Sequence, residues 1–119
     1  MSNTFNTKKH PSGVRIYSLS GQLMTIETAK NLVNKVEEDL EKGQRLFIVD
    51  IAQVEHMNSS GLNSMLRSFT KIRNKGGESV ILKPSNSVKK LLEISKLNTV
   101  FRIESSEEQA IQHLTANKA

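Results

Sequence analysis

Two adjacent serines and a glycine, in Asn58-Ser59-Ser60-Gly61, stand between the apolar run Leu46 to Ile51 and a stretch where Leu62, Met65, Leu66, Phe69 and Ile72 recur at helical spacing. A hydroxyl at such a point has two uses. As an N-cap, its oxygen accepts a hydrogen bond from an amide two or three residues on, a donor the helix itself leaves free. As a displayed group, it is available for chemistry. Chemistry carried out by the chain alone finds less support, because no base is paired with a serine and neither G-x-x-x-x-G-K-[ST] nor G-x-G-x-x-G occurs. His10, His56 and His113 are scattered without metal-ligand spacing, and there is no cysteine. No metal site, disulfide or cofactor is therefore expected.

The elements that must position these serines belong to a chain of 119 residues and 13.3 kDa, the size of one compact domain. Charged residues at 24% and hydrophobic residues at 36% give a globular balance. A net charge of +5 raises the question of nucleic acid. The cations read as spread along the chain, and Lys71, Arg73 and Lys75 fall where a helix C-terminus favours them. One tyrosine and four phenylalanines offer little for base stacking, so no direct nucleic-acid partner is expected. The longest apolar run, Leu46 to Val49, is far short of the roughly 20 residues of a membrane span. The opening MSNTFNTKKH lacks the apolar stretch of a secretory signal. A cytoplasmic protein without membrane contact is the expectation.

Thr4 to Lys9 is polar and suits an edge strand at best, followed by a turn at His10-Pro11-Ser12-Gly13. Val14 to Leu19 alternates as a strand covered mainly on one side, so the two form an antiparallel hairpin. Ser20-Gly21-Gln22 is expected to break that strand before a helix from about Thr25, its N-cap. Ile26, Ala29, Leu32, Val33, Val36 and Leu40 form the stripe of that helix, and Gly43 lies past its end. Leu46 to Ile51 reads as a strand buried on both faces. The second helix stops at Gly76-Gly77, and Val80-Ile81-Leu82 is another buried strand. Asn86 or Ser87 is expected to cap a third helix with Val88, Leu91 and Leu92 inside, and Val100 to Ile103 a last strand. Ser105 to Glu108 has capping-box spacing for a final helix carrying Ala110, Ile111 and Leu114.

This alternation implies an α/β domain, with right-handed crossovers linking parallel strands. Loops at the C-terminal ends of those strands share one edge, where ligands and partners bind. On this reading the edge carries the loops Ser20 to Met24, Ala52 to Ser60 and Lys83 to Ser87.

The order of these features is similar to that of the STAS domain family, specifically the small stand-alone anti-sigma factor antagonists of bacteria. The residues that carry the likeness are Gly21-Gln22-Leu23 before an amphipathic helix and a buried strand reaching Asp50, with Asn58-Ser59-Ser60-Gly61-Leu62 eight residues later. A glycine pair, a strand, Val88, Leu91-Leu92, Leu97 and Phe101 follow. The resemblance implies one STAS domain in residues 1–119, with a core roughly from 5 to 114. Its fold would be a mixed, mostly parallel sheet of about four or five strands with about four helices.

It further implies a regulator that is not an enzyme. In that family the first serine of the pair is phosphorylated by an anti-sigma factor that is itself a serine kinase. The unphosphorylated form binds that kinase and frees the sigma factor, and a PP2C-type phosphatase resets the cycle. Carried over, Ser59 is the phosphoacceptor in a loop with Asn58, Ser60 and Gly61. The expected partner surface adds Gly21, Gln22, Met57, Leu62, Asn63 and Arg67. The chain departs from the family at Asn58, where aspartate is common. Asparagine keeps the acceptor carbonyl and removes the charge.

Two other signalling roles compete. A receiver-like domain would be phosphorylated on Asp50, but the clustered acidic pair that holds its cation is missing after the first strands. In the simpler reading, Asp50 accepts hydrogen bonds from the backbone that follows it. A scaffold subunit of a larger signalling assembly is the other alternative.

Overall fold

The computed structural model describes residues 4–23 and 26–116. The elements are β1 (Thr4–Lys9), β2 (Arg15–Leu23), α1 (Ile26–Glu41), β3 (Leu46–Met57), α2 (Ser59–Asn74), β4 (Glu78–Leu82), α3 (Asn86–Ile94), β5 (Ile103–Glu104) and α4 (Glu107–Ala116), with a 3₁₀ turn at Leu97–Thr99. The fold is an α/β domain built on one five-stranded sheet in the order β1-β2-β3-β4-β5. The hairpin partner β1 runs antiparallel to β2, and the remaining pairs are parallel. Strand order thus follows chain order. Each right-handed crossover steps the same way and leaves α1, α2 and α3 on one face of the sheet.

The two faces of the sheet are filled unequally. Under α1–α3 lies the main core, where Leu32 and Val36 of α1, Met65 and Phe69 of α2, and Val88 and Leu92 of α3 meet Tyr17, Phe47, Val49 and Ile81 of the strands. On the opposite face α4 sets Ala110 and Leu114 against Val14, Ile16, Ile48, Val80 and Leu82. The continuous apolar runs of β3 and β4 follow from this two-sided burial. Gly76 ends α2 with a φ of 82°, a region glycine enters freely. A Cβ on Gly77 would lie 2.4 Å from the Arg45 carbonyl oxygen, so this position needs glycine for close backbone approach.

Several boundaries differ from the sequence expectations. Ser85, rather than Asn86 or Ser87, caps α3, its Oγ accepting from the Val88 amide at 3.3 Å. Val100 precedes the last strand instead of opening it. The Leu97–Thr99 turn consumes that segment, and only Ile103–Glu104 pair with β4. Ser106, one residue later than expected, caps α4 by accepting from the Gln109 amide at 3.2 Å. The expected cap Thr25 lies outside the described residues.

A buried polar contact joins the sheet to α1. Asp39 is 1% exposed, and its carboxylate accepts the Tyr17 hydroxyl at 2.6 Å. Arg15 Nε lies 3.6 Å and Lys35 Nζ 3.9 Å from the same carboxylate. Burial, and then the hydrogen bond to the Asp39 anion, hold the Tyr17 phenol well above its ordinary value of about 10. The folded state therefore keeps the phenol neutral where the unfolded state ionises. The associated stability is present below pH of about 10 and lost as pH rises beyond it. Tyr17 is the sole tyrosine and there is no tryptophan, so ultraviolet absorbance reads it alone. In an alkaline titration, the tyrosinate signal should appear only together with loss of helical circular dichroism. Ionisation near pH 10 with the fold intact would contradict this burial.

Candidate functional site

The path to the serine pair runs along β3, which is longer than its apolar run suggested. Its first five residues, Leu46 to Asp50, pair with β4 on one side, and from Phe47 onward the strand pairs with β2 on the other. The next seven continue beside β2 alone, so Ala52 to Met57 is strand rather than loop. For the same reason Ser20-Gly21-Gln22 does not break β2. Register shifts between the Ser18 and Ser20 pairs, and between the Gly21 and Gln22 pairs, each place one extra residue on β3. A regular strand would turn every third residue to alternate faces. The two extra residues instead bring Ile51, Val54 and Met57 all to the buried side. This three-residue spacing is the signal in the sequence that a test for strict alternation misses.

At the end of this ribbon Leu23 pairs with Met57, and the chain then turns into α2 at Asn58. Asn58 is the N-cap: its Oδ1 accepts from the Gly61 amide at 3.1 Å and its carbonyl from Leu62 N at 3.0 Å. Ser59 and Ser60 are the first two helical residues, and both are exposed. Among the described residues neither hydroxyl has a hydrogen-bond partner. Gly61 is buried beneath them. Asn63 and Arg67 follow Ser59 at one and two turns, both exposed, so the three share one side of α2.

The structure thus brings Asn58, Ser59, Ser60, Gly61, Asn63 and Arg67 to one end and one side of α2. Gly21 and Gln22 lie on the adjoining strand, paired with Val54 and His56. Met57 and Leu62 have a different place: at 8% and 7% exposure they pack into the core and anchor the segment from below. Asp50 is remote from Ser59, in mid-strand between Ser18 and Leu82, and its carboxylate accepts the Ala52 amide at 3.0 Å beside the first register shift. His10 bonds Ser12, and His113 bonds Glu78 at 2.8 Å.

Electrostatically the α2 N-terminus is bare. Its first turn contains no acid and its last turn carries Lys71 and Arg73. The partial positive charge of the helix start therefore meets no fixed anion of its own helix.

A family model described as the STAS domain matches residues 6–110. The chain belongs to the STAS domain family. An anti-sigma F factor antagonist of Paenibacillus polymyxa is 31% identical over 107 residues, 89% of this chain and 91% of that protein. Among solved structures, an anti-sigma factor antagonist from Mycobacterium paratuberculosis superposes with a TM-score of 0.82 at 19% identity, covering 96% of this chain and 95% of that one. The Bacillus cell fate determinant SpoIIAA in its phosphorylated form gives a TM-score of 0.72 at 20% identity, over 92% and 98% of the two chains. Among the described residues of this STAS domain no helix is long and apolar enough to cross a membrane.

The cap has a measurable share in this arrangement. Asn58→Ala should lower stability by about 1 kcal/mol, because the Gly61 amide loses its acceptor. Asn58→Asp should match or exceed the parent, since a carboxylate caps equally well and meets the bare helix start. Urea denaturation of the two variants reads both outcomes.

Proposed function

We propose that this STAS domain is an anti-sigma factor antagonist that works by partner switching. Unphosphorylated, it binds an anti-sigma factor that is a serine kinase, and phosphorylation of Ser59 releases that partner. A PP2C-type phosphatase returns it to the binding form. It acts in the cytoplasm as a binding module, with protein partners rather than DNA or membrane. The observation that carries this reading is the Ser59 hydroxyl itself, exposed and without a partner among the described residues, on the first residue of a helix capped by its neighbour. The anti-sigma F factor antagonist relative supports the partner class.

A kinase substrate must supply an accessible hydroxyl on a segment that fits a cleft, while base and metal come from the enzyme. Ser59 meets that requirement. Its phosphate would bring about −1.5 to −2 charge to a helix whose first turn has no acid, where first-turn amides can solvate it. Asn58, unlike aspartate, adds no neighbouring negative charge. A hundredfold loss of partner affinity needs about 2.7 kcal/mol. Repulsion and desolvation of a dianion at an interface can supply it without refolding the domain.

Incubation with the partner kinase and ATP, followed by mass spectrometry, should place one phosphate on Ser59. Ser59→Ala should abolish phosphorylation and keep the complex, while Ser60→Ala should still be phosphorylated. Full phosphorylation of Ser59→Ala would overturn the assignment.

A further inference from the structure

The cations, which read as spread along the chain, are unevenly divided between its parts. From Ser59 to Arg102 there are nine lysines and arginines against two acids, a net +7, while the remainder of the chain is net −2. This stretch contains α2 and α3, and α2 has no acidic residue at all. Only Lys71 and Arg102 of these cations form ion pairs among the described residues, with Glu37 and Glu104. Arg67, Arg73, Lys90 and Lys96 are exposed. The same half of the molecule holds both large apolar side chains that stand most in water among the described residues, Ile94 at 74% and Val100 at 45% exposure. Between α2 and the segment after α3 lies a cavity of about 320 Å³, whose lining includes Phe69, Arg73, Val100, Phe101 and Arg102 and one acid, Glu78, which bonds His113. Phe69 and Phe101 meet edge to face within it, their ring centroids 5.0 Å apart.

We propose that the outer surface of α2 and α3, from Arg67 to Ile94 and Val100, is a second docking region that takes an acidic, partly apolar surface of a protein partner. This deepens the partner-switch reading and rests on it in one respect: the same partner spans this face and the Ser59 end. Cations that lack internal partners steer an oppositely charged surface and suppress a like-charged one. A second copy is disfavoured, since it would set two copies of the same basic face together. Nucleic acid fits less well, because Phe47, Phe69, Phe101 and Tyr17 are all buried and leave no described aromatic ring for stacking. Exposed Ile94, and Val100 lining a small cavity with Phe69 and Phe101, instead suit apolar side chains set among carboxylates. In this arrangement phosphate on Ser59 also acts at range, offsetting part of the positive charge that attracts the partner.

The test uses the full chain labelled with ¹⁵N and three probes: an amphipathic leucine–glutamate helical peptide, polyglutamate, and a DNA duplex. The leucine–glutamate peptide should bind about tenfold tighter than polyglutamate, shift the amides around Arg73, Ile94 and Val100, and weaken steeply with added salt. The double variant Ile94→Ser, Val100→Ser should erase its advantage over polyglutamate, and Arg67→Glu with Lys90→Glu should weaken both peptides. Both sets of substitutions are on exposed positions, and an unchanged circular dichroism spectrum would show that the fold is retained. Tighter binding of the duplex, concentration-dependent self-association, or shifts confined to other faces would each overturn the proposal. Phosphorylation at Ser59 is scored separately. If Ser59 is phosphorylated but the peptide does not bind this face, the docking proposal fails alone. If the peptide binds but no kinase modifies Ser59, the switch reading fails and the docking region stands.

Discussion

The position of the serine pair depends on one constraint, that β3 must keep an apolar side against the core after it has lost β4 as a neighbour. Beyond Asp50 only β2 accompanies it, and two register shifts turn Ile51, Val54 and Met57 inward together. Each inserted residue rotates the pleat so that a three-residue spacing behaves as a two-residue one. Without those shifts the ribbon would point some of these side chains to solvent, and Met57 would not anchor the junction to α2. The start of α2 is thus held by burial on one side of Asn58 and by Leu62 on the other. Ser59 and Ser60 are what remains outside.

A serine placed in this way can change chemical state while its surroundings stay fixed. The main core runs from α1 to α3 as one cluster, and it includes Met57 and Leu62 on either side of the serine pair. Tyr17 and Asp39 join β2 to α1 by a buried hydrogen bond, and the Lys71–Glu37 ion pair at 2.8 Å joins α2 to α1. Loosening any one helix disturbs the others. The proposed switch accordingly works through charge at the surface, and the modest free energy it requires lies within the reach of local electrostatics.

Most of the fold was legible from periodicity and punctuation. The stripes of α1 and α2, the Gly76-Gly77 stop and the β1–β2 hairpin all follow from residue types acting locally. The ends of β2 and β3 were not legible, because Gly21 and Gln22 resemble a turn and Ala52 to Met57 does not alternate. Their strand character comes from lying side by side, which is a tertiary fact. The helix starts at Ser85 and Ser106 were displaced by one residue for a related reason: several serines and asparagines stand close enough to compete, and the backbone path selects among them. At the site, the exposure of Ser59 agrees with the sequence pattern, while the cap is Asn58 rather than a serine. The inward place of Met57 and Leu62 required the sheet beneath them. The surplus of cations from Ser59 to Arg102 is a property of the chain, and the fold adds that α2 and α3 pack on the same core.

The sequential strand order has a further meaning for recognition. Folds in which the strand order reverses open a crevice at the reversal, and ligands settle there. Here every crossover advances in the same direction, so no such crevice forms at the edge where α2 begins. What the domain offers there is the exposed pair Ser59 and Ser60. In the proposed phosphorylation, the cleft that receives Ser59 belongs to the kinase. Selectivity in that proposal is written in exposed residues of α2 and α3, which can change without reshaping the core.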